Sequence, residues 1–331
     1  MFVITGGASP AIVILVLLVL FGGLIVASEL VRRYKTVGFF AVFVLPIILS
    51  ILWFTTLSDN LYSGWFHLVK VYTLATACVG VWFIRYYSWK DKLGNERHFY
   101  KTKFAIIFPP VLLAANIIQA VISDFRVGSN FFGMPPTFNV ASSSYVIGGA
   151  WNYMNSIAGI LNVLAITGFV GITLRKDTEN DNSRNVIWPD MLWLYIIPFS
   201  IWNFVFIYNT VPHRTMFSGA VVLIASIVLA LTKGGKGSWI QHRMYILTLW
   251  FFFIMTFPAF TNDSIWRVDS TYNPTIHFAL ALVSLVANAL LALYIFVKWY
   301  ITKRNPYTGE LHTDLKEYQE VKAMGMTDSN S

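Results

Sequence analysis

The sequence predicts an all-α, polytopic transmembrane helix bundle of about nine spans, and three observations carry that prediction. Of its 331 residues, 56% are hydrophobic and only 12% are charged, against roughly 25% charged in an ordinary soluble domain. The mean hydropathy of +0.60 leaves too little polar surface to cover a water-soluble globule. The apolar residues come in long blocks, and one helix needs roughly 20 of them to cross a bilayer core about 30 Å thick.

In chain order, the blocks place spans near 10–28, 38–57, 65–87, 104–123, 145–174, 188–209, 215–232, 244–260 and 275–298. The fifth is long enough to tilt or to extend beyond the membrane. With nine spans, the connections at 29–37, 85–103, 175–187 and 233–243 share one side with the C-terminal tail. That side holds 20 of the 24 lysines and arginines. The other side has Arg126, Arg214 and Arg267, and Lys70 lies inside a span. Because basic residues are retained in the cytoplasm, the N-terminus is expected outside and the C-terminus inside. The chain then divides into a membrane domain, 1–302, and a charged cytoplasmic tail, 303–331, with a short helix around Asp314–Met324. No basic stretch precedes the first block and no small-residue cleavage site follows it, so it is expected to stay as a helix. Residues 124–144, with Gly128, Gly133 and Pro135-Pro136, read as an irregular external loop, and 261–274, with Trp266 and Tyr272, as a lid.

Several function classes are excluded or find no support. A net charge of +8 would suit nucleic acid, but the basic residues are spaced as topology signals and no zinc-finger or aromatic RNA-binding motif accompanies them. A single cysteine, Cys78, allows neither an intrachain disulfide nor a cysteine-rich metal site. There is no P-loop, no G-x-G-x-x-G, no nucleophile elbow and no H-E-x-x-H, and paired intramembrane carboxylates are missing. No catalytic residue, metal ligand or resident cofactor is therefore expected. One redox alternative remains, in which His67 and His277, near the outer ends of the third and ninth spans, ligate a haem from two sides. Ordinary interfacial histidines explain both residues as well.

Polar side chains inside a span are costly unless they face protein or water, so each is a candidate site residue. The fifth span carries Trp151, Asn152, Asn155, Gly159 and Asn162, with the asparagines 3 and then 7 residues apart on one helical face. Those amides either glue helices together or line a cavity, and Gly159 would let a neighbouring backbone approach. The fourth span holds Asn116, Gln119 and Ser123 after Pro109-Pro110, with Asp124 and Arg126 as an interfacial charge pair at its outer end. In the third, His67 and Lys70 lie one turn apart, and Lys70 is about 7–8 Å from the outer edge. Its stem either snorkels to the headgroups or points inward as a cationic site, with His67 as hydrogen-bond partner or proton carrier. The sixth opens on Trp188-Pro189-Asp190, where Pro189 suits the first helical turn. Asp190 either complements the helix dipole or handles protons. Further along it come Trp202, Asn203, Tyr208 and Asn209, with Arg214 at the surface beyond. The eighth starts with Trp239, Gln241, His242 and Arg243, read as interface anchors or as a phosphate contact.

If the third, fifth and sixth spans adjoin, His67, Lys70, Asn152, Asn155, Asn162, Asn203 and Asn209 converge on an outward-opening cavity. One cation and several amides suit a small polar or anionic solute, with His67 and Asp190 coupling protons. The expected function is a transporter or channel-like protein of the cell membrane. The alternatives are a membrane-embedded enzyme acting on a lipid or isoprenoid and a non-catalytic sensor or assembly protein. Membrane lipid is an expected partner, and a homo-oligomer is left open.

Four strings are distinctive: Trp151-Asn-Tyr-Met-Asn155 continuing to Gly159 and Asn162, Trp188-Pro-Asp-Met-Leu-Trp193, Trp202-Asn-Phe, and Trp239-Ile-Gln-His-Arg243. Over most of its length the chain resembles an uncharacterised bacterial family of polytopic membrane proteins, a domain of unknown function. The resemblance implies a protein of the bacterial cytoplasmic membrane and assigns no activity, ligand or residue role.

Overall fold

A computed structural model describes residues 1–57, 65–139 and 144–326, and helices dominate it. Helix α1 (Pro10–Arg33) starts where Ser9 caps it, its hydroxyl accepting from the Ile12 N–H, with Pro10 in the first turn. Helix α2 (Lys35–Thr55) widens into a π-helical stretch at Phe40–Val44 just before Pro46, which has no N–H for the regular ladder. Helix α3 runs Trp65–Tyr86, a hairpin of β2 (Ser88–Lys90) and β3 (Glu96–His98) follows, and α4 runs Lys103–Asn130 through Pro109 and Pro110 from a Thr102 cap. Then come α5 (Ala150–Leu164), α6 (Trp193–Thr210), α7 (Pro212–Leu231), α8 (Trp239–Thr256), α9 (Pro274–Thr302) and a surface helix α10 (Lys316–Ala323). Among the described residues, six helices are long and apolar enough to cross a membrane: α1, α2, α3, α4, α7 and α9.

The fifth apolar block departs most from expectation. It is not one long helix over 145–174. Its first residues form strand β5 (Ser144–Val146), paired antiparallel with β4 (Thr137–Asn139). The helix itself has 15 residues. Past Leu164 the chain turns at Gly168, whose φ is +60°. It then runs into β6 (Thr173–Leu174), paired with β7 (Val186–Ile187). Ile166, Ile172 and Leu174 are apolar because they pack into the protein core, not because they face lipid. The external loop is also shorter than expected, since α4 continues to Asn130. Residues 140–143 of that loop and 327–331 of the tail lie outside the described residues.

The connections gather into two groups at opposite ends of the bundle. At the basic end Arg85 donates to the carbonyls of Arg32 and Ser183, Arg32 pairs with Asp181 at 2.6 Å, and Arg175 donates to the Lys233 and Gly234 carbonyls. The tail lies there too, its Met326 N–H on the Leu174 carbonyl. At the other end β1 (Phe2–Ile4) pairs antiparallel with β8 (Val268–Ser270), Phe2 opposite Ser270, which ties the expected lid to the N-terminus. Between the ends the helices form two packed sets. Helix α8, buried along most of its length, packs against α1, α2, α3 and α7, whereas α5 packs against α4, α6 and α9. Helices α3 and α4 join the sets on one side, and α6 and α7 on the other.

Candidate functional site

A cavity lies at the seam between the two sets, walled by α3, α4, α6, α7 and α8. Three cationic side chains line it among the described residues: Lys70, Arg214 and Arg243. All are more than nine-tenths buried, with exposures of 8%, 2% and 4%. Lys70 points inward: its Nζ donates to the Asn116 carbonyl at 3.0 Å and stands 6.0 Å from the Phe66 ring centre. Arg243 reaches across from α8, its Nη2 donating to Asn203 Oδ1 at 2.9 Å. Arg214 and His67 meet at 2.8 Å through Nη1 and Nε2. A charged arginine has no acceptor, so His67 is neutral here and accepts on Nε2. No Asp or Glu is among the described residues that line the cavity. The rest of the wall is largely carbon, including Phe66, Phe199, Trp202, Phe206 and Phe251.

The asparagines of α5 lie elsewhere, and none of them lines this cavity. Asn152 and Asn155 donate to the two oxygens of buried Asp124, at 2.6 and 2.8 Å. Asn155 also accepts from Ser284 at 2.7 Å. Asn162 donates to Asn288 at 2.8 Å and accepts from the Tyr195 hydroxyl at 2.7 Å. These bonds join α5 to α4, α6 and α9, as amides do when they hold helices together. Gly159 is needed for side chains and not for a neighbouring backbone: a Cβ there would stand 2.5 Å from Val121 Cγ2 and 2.7 Å from Trp202 Nε1. The expected Asp124–Arg126 charge pair does not form. Residues two apart on a helix face different ways, so Asp124 turns inward and Arg126 sits 5.6 Å from the ring centre of Trp65.

The remaining candidates are also placed. Asn203 lines the cavity, while Asn209 bonds to His277 Nδ1 at 2.6 Å. His277 stacks on Trp151 at 5.0 Å and does not share the cavity lined by His67. Asp190 and Pro189 precede α6, which starts only at Trp193, so Asp190 serves the tail instead of the helix dipole. It accepts the N–H groups of Leu311 at 2.8 Å and His312 at 3.3 Å. Burial pushes its carboxyl up to about 6, against the pull of those two N–H donors. Gly168 makes room for it: a Cβ there would lie 1.9 Å from Asp190 Oδ2. Gln241 and His242 are interior, Gln241 accepting the Val186 N–H at 2.9 Å and donating to Asn185 at 3.0 Å.

Comparison with known proteins gives one match. A family of unknown function, DUF5692, matches residues 7–324. The chain belongs to this family. No curated protein and no solved structure matches it. Membership covers both helix sets and the whole cavity, so the site belongs to the part of the chain that the family shares.

Arg214 and Arg243 are the residues that sequence reasoning missed as site members. Arg243 sits just ahead of the expected eighth span, where a basic residue reads as an anchor. In the structure α8 begins at Trp239, which puts Arg243 inside the helix. The signal was present, since Trp239-Ile240 already opens the apolar run. Arg214 stood between Pro212 and an apolar block, and only its burial beside His67 separates it from a surface arginine.

Proposed function

We propose that this chain is a nine-span integral protein of the bacterial cytoplasmic membrane that binds a small anionic solute in the seam cavity and passes it across. The observation that carries the proposal is a buried pair of cations, Lys70 and Arg243, with no carboxylate among the described residues that line the cavity. Burying a charge is costly unless something opposite meets it. An anion entering from water supplies that opposite charge, and each charge-assisted hydrogen bond strengthens in a water-poor setting. The location at a seam between two helix sets suits passage, because relative movement of the sets would expose it to either side. Among the described residues the lining holds no carboxylate, and His67 and Lys70 are its groups able to act as acid or base, so binding and passage have more support than lipid or isoprenoid chemistry.

Orientation rests on the basic asymmetry, with the N-terminus outside and the C-terminus in the cytoplasm. The mutual contacts of the basic connections support it. Two measurements test the proposal. Reconstituted in liposomes, the wild-type chain should take up labelled chloride, phosphate or carboxylates, and Lys70→Met or Arg243→Met should cut uptake by about tenfold or more. Unchanged uptake in both variants would remove the cavity from the pathway. On a Cys78→Ala background, Lys92→Cys should react with an impermeant thiol reagent only from the cytoplasmic side, and Ser129→Cys only from the outside. Labelling of both from one side would overturn the topology.

A further inference from the structure

We infer that the solute of this cavity is amphiphilic: an organic anion with one oxyanion head, carboxylate or phosphate, on an apolar body. The inference rests on the anion-binding reading and names its substrate class. The head has a built site. Lys70 and Arg243 come from different helices: Lys70 donates to the Asn116 carbonyl, and Arg243 to Asn203 Oδ1 and, at 3.4 Å, to the Val222 carbonyl. Arg243 and Asn116 line the cavity, and neither the buried Arg243 Nε nor Asn116 Oδ1 has a hydrogen-bond partner among the described residues. The head would therefore take donors from Nε and Nζ, and a hydroxyl or protonated oxygen on it could give a hydrogen to Asn116.

The body follows from the wall. Beyond the cations the lining is aromatic and aliphatic, with Phe66, Trp202, Phe206 and Phe251 facing the space. A hydrated inorganic ion gains nothing from such a surface and must shed water to enter. An organic anion places its charge on the cations and its carbon against the rings. The make-up of the wall agrees: pockets that hold small organic ligands are mostly apolar with a few placed polar groups, as this lining is. Two sources share this chemistry, a water-soluble organic acid and a membrane lipid with a phosphate head.

The test is equilibrium binding to the purified full-length protein, read by tryptophan fluorescence, with acetate, butyrate, hexanoate and octanoate as probes. Chloride, inorganic phosphate and neutral octanamide serve as controls. Affinity should rise by about fourfold per methylene buried. Octanamide should bind at least about tenfold more weakly than octanoate. Arg243→Met should lower octanoate affinity by about tenfold or more while leaving octanamide unchanged, and Arg243→Lys should recover part of the loss. Thermal unfolding of each variant checks that it is folded. Acetate and chloride binding as tightly as octanoate, with both lost in Arg243→Met, would overturn the amphiphile and leave the anion site standing. No anion binding at all would overturn both readings. Octanamide matching octanoate would leave an apolar cavity and remove the head from the proposal. Competition with dioctanoyl phosphatidic acid separates the sources: displacement of octanoate assigns the site to a lipid, and no displacement to a soluble acid. Either result keeps the shared chemistry.

Discussion

Two polar clusters lie within one helix bundle, and they are built on opposite terms. Around α5, the Asp124 carboxyl group, three asparagines, Asn288, Ser284 and Tyr195 bond to one another across four helices. At the seam, Lys70, Arg214 and Arg243 surround a cavity whose described lining has no carboxylate. In the first cluster every buried amide, hydroxyl and carboxyl oxygen or nitrogen has a hydrogen-bond partner inside the protein. The second gathers like charges and leaves room. A network that satisfies itself holds helices together, whereas buried like charges cost stability unless a ligand meets them. Burial of polar groups alone is therefore no mark of a binding site. The mark is the burial of Lys70 and Arg243 beside open volume with no described carboxylate in its lining.

The two clusters should respond to mutation with opposite signs. The largest effect is expected in the satisfied cluster. Asn155→Ala removes a donor to Asp124 and the acceptor of Ser284, and should cost about 2–3 kcal/mol of stability in detergent unfolding. The folded fraction should keep its anion affinity. Lys70→Met and Arg243→Met should instead be neutral or stabilise by about 1–3 kcal/mol, because an apolar isostere relieves a buried charge, even as binding is lost. If these variants destabilised as strongly as Asn155→Ala, the seam cluster would be structural like its neighbour.

Trp202 joins the clusters: it lines the cavity, and its indole N–H donates to the Asn155 carbonyl at 3.0 Å. Gly159→Ala forces Trp202 or Val121 to move and should cost about 1–2 kcal/mol by overpacking. It should also weaken ligand binding without touching a ligand. Normal affinity in that variant would show that the α5 network and the cavity are independent.

The smallest effect concerns the tail, which docks by Asp190 at the basic end. Burial raises the Asp190 carboxyl from 3.8 to about 6, so docking takes up a proton and strengthens as pH falls through 6 towards 3.8. His312 runs the other way. Burial, with Lys298 adding to it, lowers its ring from 6.5 to about 4, so docking weakens as pH falls through 6.5 towards 4. Between about 4 and 6 the two oppose each other, and the wild-type tail should show little pH dependence. Asp190→Asn leaves the histidine alone, and tail protection in hydrogen exchange should fall about 40-fold from pH 6.5 to 4.5. His312→Phe should reverse the trend. A pH-independent tail in both variants would separate these groups from docking.

Much of the architecture was legible in the chain. Each apolar block contains a helix, and the connections grouped by basic content touch one another. Gly168 shows why the fifth block was misread, since an apolar stretch buried in protein and one buried in lipid have the same composition. Lys70 and His67 were legible as a pair, because a one-turn spacing puts both on one face. The asparagine stripe was equally legible as a stripe. Its packing role was not, because Asp124, Ser284 and Asn288 come from distant segments.

The sequence by itself determined that the chain is apolar enough for a membrane, where its helices lie and which connections share an end. Those properties depend on local composition and on charge counted along the chain. Only the tertiary structure decided that Arg214 and Arg243 join Lys70 while the asparagines turn away. That outcome depends on which helices are neighbours and how each is rotated about its axis, and helical spacing within one segment specifies neither.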